Sequence, residues 1–166
     1  MAFNNLKDLT ENIRKCIDEN YEKPDFYLLC LEQILEQYEG EDWLNYVNHS
    51  DDNYTRIKLP FTNPADKFEM FLICWNNNAI SPIHNHPKNG CIAKMLKGSL
   101  NEVIYHIKKK NKIRTSYCHL LKDGDITYID DTSGVHQIFN YFNKTAYSLH
   151  IYSPPNFEAK TYTLKR

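Results

Sequence analysis

His84 and His86 are separated by one residue and bracketed by Pro82 and Pro87. On an extended strand, alternate side chains share a face, so a His-x-His pair aims two imidazoles at one point. On a helix the same spacing splays them by about 200°, and the two prolines forbid a helix through the pair. Neutral imidazole is a common ligand for iron, zinc, copper and nickel. Taken alone, such a pair more often belongs to surface histidines beside a proline turn. A third histidine changes that reading: His136 follows Ser133-Gly134 and precedes Asn140. The set becomes H-x-H…H across two strands, half or more of a metal site.

Other residues could do chemistry around such a site. Arg56 has the planar fork that captures a carboxylate bidentately, although a strand arginine faces solvent by default. Tyr54 shares its face and offers a phenol contact. Cys91 follows the histidine pair after a turn and reads, alone, as a buried strand cysteine. Ser148, His150 and Tyr152 alternate on one strand face, which could equally be the polar face of an edge strand or, for Tyr152, a core aromatic. Trp75 is either core or pocket wall. His49 reads as a solvated loop residue, and His106, Cys118 and His119 as structural or exposed.

These residues need elements to hold them. The first 50 residues read as helical: Leu6, Leu9, Ile13, Cys16 and Ile17 recur at helical spacing, as do Tyr27, Leu31, Ile34 and Tyr38. Pro24 suits a first turn, Gly40 a C-terminal cap, and a short third helix carries Trp43, Leu44 and Val47. From Tyr54 onward the chain breaks into short β-branched and aromatic runs at 54–59, 68–75, 91–96, 100–107, 126–129, 135–142, 146–153 and 157–164. Pro, Gly, Asn and Asp clusters separate them at roughly ten-residue intervals, the signature of an antiparallel sandwich or barrel. The lysine-rich 108–112 stretch reads as a solvated hairpin tip. The expected organisation is a single domain over 1–166, mainly β, with helices from 1–50 packed on a barrel formed by 54–164.

Composition excludes several classes. Twenty Lys+Arg against twenty-one Asp+Glu leave a formal charge of −1, no footprint for nucleic acid or an anionic membrane. No apolar run is long enough to span a bilayer, and the N-terminal stretch lacks a signal-peptide core. Five cysteines without CxxC spacing read as reduced thiols in a cytoplasmic chain, with Cys16 and Cys30 as plain core residues.

The H-x-H…H pattern, with Gly98 and Gly124…His136-x-x-x-Asn140, resembles the two motifs of a cupin, a small jelly-roll barrel. The usual cupin carboxylate is replaced by Cys91. More specifically, NYTR (53–56), LICW (72–75), SPIHNHPKNGCIAKMLKGSLNE (81–102), YIDDTSGVHQIFN (128–140) and SLHIYSPP (148–155) resemble type I cysteine dioxygenase. The resemblance runs from Tyr54 to about Tyr162, with the helices matching in outline. It departs in a shorter loop around 108–114 and an early stop after Thr163.

The resemblance implies one Fe(II) per chain on His84, His86 and His136, and a thioether cross-link between Cys91 and Tyr152. It implies Arg56, Tyr54 and Tyr152 as substrate contacts, Tyr152, Cys91 and His150 as catalytic groups, and Ser148 and Trp75 as residues supporting them. The implied reaction is oxygenation of L-cysteine by O2 to cysteine sulfinic acid, the first step of cysteine catabolism, by a cytoplasmic monomer. Two alternatives stand beside it. One is a dioxygenase of another small thiol such as 3-mercaptopropionate, where relatives tend to carry Gln in place of Arg56. The other is a non-catalytic metal-binding cupin acting as a sensor.

Overall fold

The computed structural model describes residues 2–108 and 112–164. Helix α1 (Leu6–Asn20) starts where the Asn5 side chain accepts a hydrogen bond from the Asp8 N–H at 2.8 Å, satisfying one of the donors a helix start leaves free. Leu6, Leu9, Ile13 and Ile17 lie on its fully buried face. Helix α2 (Pro24–Glu36) opens on the expected proline and presses Tyr27, Leu31 and Leu35 inward. A 3-10 turn, Asp42–Tyr46, brings in Trp43.

Gly40 does not cap α2. The helix stops at Glu36 with Gln37 at its cap, and Gly40 is small for another reason: a Cβ there would lie 2.6 Å from the Asn4 carbonyl oxygen. The C-terminal carbonyls are met instead by a buried lysine. Lys94 Nζ donates to Leu35 O at 2.7 Å and Tyr38 O at 2.6 Å, a cation on the negative end of the helix.

Among the described residues, ten strands make two five-stranded antiparallel sheets. The first has the order β1 (Tyr54–Lys58), β2 (Glu69–Trp75), β9 (Ala146–Tyr152), β4 (Cys91–Lys97), β7 (Ile126–Ile129). The second has the order β10 (Thr161–Tyr162), β3 (Ile83–His84), β8 (Val135–Phe139), β5 (Ser99–Lys108), β6 (Lys112–Lys122). The central strands of the first sheet are covered on both faces. Met70, Leu72, Cys74, Ile92, Leu149 and Ile151 pack against the helices. Phe71, Ile73, Trp75, Cys91, Met95 and Tyr152 point between the sheets and meet Leu100, Leu121 and Ile138. A strand buried on both faces loses its polar alternation, so its sequence reads as a continuous apolar run.

Several expectations are corrected. The strand β6 was not foreseen, because Tyr117 and Leu120 on its two faces are both exposed and no apolar face stands out. The run 157–164 is a strand only at Thr161–Tyr162. The strand β3 ends at His84, leaving His86 just beyond it. The hairpin tip expected at 108–112 falls, over 109–111, outside the described residues. Cys16 and Cys30 are not reduced thiols but a disulfide between α1 and α2, whose packing brings their Cα atoms to 6.3 Å, within bridging range. Cys74, Cys91 and Cys118 are free. No helix among the described residues is long and apolar enough to cross a membrane.

Candidate metal centre and substrate cavity

His84 and His136 meet because β3 and β8 are paired in a register that sets the two residues opposite one another. Partners across an antiparallel pair present their side chains on the same face. His86 enters from the segment after β3 and is almost wholly buried. Ligand nitrogens of His84, His86 and His136 all lie within 4.8 Å of one another.

Their hydrogen bonds decide what those nitrogens can do. His84 Nδ1 lies 2.9 Å from the Pro82 carbonyl oxygen, and His136 Nδ1 lies 2.5 Å from Glu102 Oε1. Both partners are acceptors, so both Nδ1 atoms carry the proton and both Nε2 atoms present a lone pair. Those two Nε2 atoms are 3.2 Å apart. Neither can donate to the other, and a cation between them resolves the contact. Cis ligands about 2.1 Å from an ion would themselves be ~3 Å apart. His86 adds the same message, since neither of its buried ring nitrogens has a hydrogen-bond partner. A buried polar group without a partner carries a desolvation cost that metal ligation removes.

Burial sets the charge of the site. It lowers His84 to about 4 and also lowers His86, and in each case the neighbouring His136 adds to the effect. Burial likewise lowers His150 to about 3. For Glu102, burial alone would raise the carboxyl. Hydrogen bonds from His136 and Thr127 hold it below its ordinary range instead.

Glu102 was missed in the sequence. It is fully buried, accepts from His136 Nδ1 and from Thr127 Oγ1 at 2.7 Å, and lies 3.0 Å from His119 Nε2. A carboxylate of this kind fixes the tautomer and ring orientation of a metal-ligating histidine. The available signal was its place on β5 between Leu100 and Ile104, an acidic residue on an otherwise apolar face. His119, read as structural or exposed, is the outer end of this contact.

The remaining expected residues gather around the same point. The Trp75 indole N–H donates to Ser148 Oγ at 2.9 Å, and that hydroxyl lies 2.8 Å from His150 Nε2. An indole only donates, so the hydroxyl accepts from Trp75 while it also bonds His150 Nε2, and the other ring nitrogen of His150 is Nδ1. That nitrogen lies 3.6 Å from Cys91 Sγ. The chain therefore runs from Trp75 to Cys91, which is the register partner of Tyr152 on the neighbouring strand. Burial pushes the Cys91 thiol up to about 12 and raises Tyr152 as well, so both stay protonated. Asn140, fully buried, clamps the carbonyls of Trp75, Asn76 and Lys144 and does not reach the centre.

Arg56 stands at the mouth. Its side chain is exposed, with the guanidinium carbon 3.7 Å from the centre of the Phe71 ring and 4.8 Å from that of Tyr152. Among the described residues no carboxylate pairs with it. Tyr54 packs on Trp75 with ring centres 4.8 Å apart. Tyr54, Arg56, His84, His136, His150 and Tyr152 all line one cavity of about 150 Å³.

A sequence model of cysteine dioxygenase type I matches residues 14–165. The chain belongs to this family. Cysteine dioxygenase type 1 of Homo sapiens is 33% identical over 130 residues, covering 75% of this chain and 64% of the human protein. The chain thus spans slightly less than two thirds of that relative's length. The Danio rerio protein of the same name is 26% identical over 158 residues, covering 92% of this chain and 78% of its own. Among solved structures, oxalate oxidase in complex with glycolate superposes with a TM-score of 0.56 at 20% identity, covering 74% of this chain and 65% of that one. An uncharacterized conserved protein with a double-stranded β-helix domain from Klebsiella pneumoniae gives 0.52 at 19% identity, covering 70% and 85%. These likenesses establish the fold, a mainly β cupin barrel with the helices on one sheet. In this member of the cysteine dioxygenase type I family, the three-histidine centre fits a metal such as iron.

Proposed function

We propose that the protein converts L-cysteine and O2 into 3-sulfino-L-alanine, the first step of cysteine catabolism. The observation that carries this reading is the placing of Arg56 against Tyr152 at the mouth of the cavity into which His84 and His136 point. An amino-acid carboxylate entering that mouth meets a guanidinium with no acidic partner, while the thiol end reaches the histidines. Three neutral imidazoles bring no negative charge, so the centre favours an anionic ligand such as a thiolate. Iron(II) on His84, His86 and His136 would supply deprotonation of the substrate thiol and activation of O2. The overall change balances without a reductant: the substrate sulfur gives up four electrons, O2 accepts them, and both oxygen atoms end on sulfur as the sulfinate.

The chain's own residues supply orientation and protons. Arg56 holds the carboxylate, with the Tyr54 ring beside it. Tyr152 stays a phenol and can donate a hydrogen bond to the reacting groups. Trp75, Ser148 and His150 fix the Cys91 thiol against that phenol. A thioether between Cys91 and Tyr152, formed with loss of two hydrogens to O2, belongs to the same proposal.

Oxygen uptake by the iron-loaded protein over a panel of thiols tests the reading. L-cysteine is expected to support uptake well ahead of cysteamine, which lacks the carboxylate, and of 3-mercaptopropionate, which lacks the amine. A preference for 3-mercaptopropionate would move the substrate to that acid. No uptake with any thiol, in protein that holds stoichiometric iron, would leave a metal-binding protein without this activity. Alanine at His84, His86 or His136 is expected to lose iron while the far-ultraviolet circular dichroism stays unchanged.

A further inference from the structure

Between the two sheets, just beneath the histidine centre, lies a second and smaller cavity of about 20 Å³. Ala93 and Met95 of β4, Leu100 of β5, Leu121 of β6, Ile129 of β7 and Ile138 of β8 wall it, and all are buried. Interiors pack to crystal density with few voids larger than a water, so a void beside a reaction centre asks for an occupant. Trp75, His136, Ile138 and His150 line both this cavity and the substrate cavity above it. The two spaces therefore share part of their walls.

The small cavity has room for about one water, but the polar groups on its wall are already engaged. Thr127 Oγ1 donates to Glu102, and His136 Nδ1 is held by the same carboxylate. Ser148 Oγ is shared between the Trp75 indole and His150 Nε2, and His150 Nδ1 faces Cys91 Sγ. His136 Nε2 is turned to the metal centre, 3.2 Å from His84 Nε2. A water needs two to four polar partners to stay in a buried site, and an apolar cavity that cannot offer them stays dry and takes apolar guests such as xenon. It is also too small for any amino acid.

We infer that this cavity is a binding site for a small apolar gas, which under the proposed function is O2, held next to His136 on the side away from the substrate mouth. This rests on the dioxygenase reading for the identity of the gas, though not for its binding. Thiol and gas would then approach the centre from different sides: the charged, hydrated substrate past Arg56, and the apolar oxidant from within the barrel. Dispersion contacts from a close-fitting apolar wall are what such a molecule can gain.

Crystals of the iron-loaded protein pressurised with xenon, together with steady-state kinetics in varied O2, test the inference. Xenon is expected in the cavity bounded by Ala93, Leu121 and Ile138. Two variants fill it from opposite sheets: Ala93→Val, which suits a strand, and Leu121→Phe. Each should exclude xenon and raise the KM for O2 several-fold, with the KM for L-cysteine and the iron content unchanged. Absence of xenon from the wild-type cavity overturns the inference even if neither variant folds. So does a wild-type KM for O2 in two folded variants that no longer take up xenon. Xenon binding in a wild-type protein that consumes no O2 with any thiol would sink the dioxygenase reading and leave the gas site standing.

Discussion

Cys91 and Tyr152 are register partners on the neighbouring antiparallel strands β4 and β9. Residues directly opposite one another have Cβ atoms about 4.5–5.5 Å apart, and both side chains face the interior between the sheets. Joining sulfur to the ring carbon beside the hydroxyl therefore needs no movement of the sheet. Prolonged turnover with L-cysteine should convert the protein into a species lighter by a pair of hydrogens, which intact-mass measurement resolves. Cys91→Ser and Tyr152→Phe should each abolish it, with activity reduced but present. Recovery of Cys91 wholly as free thiol after turnover would exclude the link.

Glu102 is predicted to control how tightly the metal is held. Glu102→Ala leaves the His136 Nδ1 proton without its acceptor and frees the ring to turn. Outer partners of metal-ligating histidines typically contribute ~10–100-fold in affinity, and a loss in that range is expected in an iron titration. Glu102→Gln, which keeps an acceptor and drops the charge, should lose less. Wild-type affinity in the alanine variant would show that His136 is oriented by packing alone.

Because Arg56 is exposed, its pull on a carboxylate is open to screening by salt. Arg56→Gln should lower kcat/KM for L-cysteine by about 10- to 100-fold, and leave the weaker use of cysteamine unchanged. Raising the salt concentration should narrow the gap between wild type and variant. An equal loss for both thiols would assign Arg56 to the shape of the mouth and not to the carboxylate.

The ion pair between Arg14 of α1 and Asp66 is predicted to make stability depend on acid pH. The guanidinium donates to both carboxylate oxygens, at 2.7 and 3.0 Å, and holds Asp66 below its ordinary range. A carboxyl depressed in the folded state stabilises above its unfolded value of about 3.9, and that stability is lost as pH falls toward the folded value. Asp66→Asn should therefore cost about 1–2 kcal/mol at pH 7. The cost should shrink steadily below pH ~4, where the wild-type carboxyl also becomes neutral. Urea unfolding at several pH values measures it, and a cost independent of pH would refute the account.

Local patterns exposed much of this architecture. A helix repeats its buried face every three to four residues, so Leu6, Leu9, Ile13 and Ile17 declared α1 without any partner in view. The central strands declared themselves by length and by β-branched and aromatic content. Edge and outer elements were harder to read. The strand β6 buries too little to leave a clean stripe, and the Gly40 requirement comes from a close approach to Asn4, which no α2 pattern contains. The Cys16–Cys30 bridge likewise depends on how α1 and α2 pack, since the two cysteines sit on separate helices.

By itself the sequence determined the ligand types and the strand that carries the first of them. His84, His86 and His136, with Arg56, Cys91 and Tyr152, were visible as residues whose chemistry fits one reaction. Their meeting was a matter of register. Set β3 one residue along β8 and His84 would turn to the opposite face from His136, since strand side chains alternate with a period of two. The Glu102 carboxylate behind His136, the Trp75–Ser148–His150 chain ending on Cys91, and the small apolar-walled cavity under the centre were decided by tertiary structure alone. Each is a relationship between side chains on different strands, and pairing over such distances along the chain leaves no trace in any local stretch of residues.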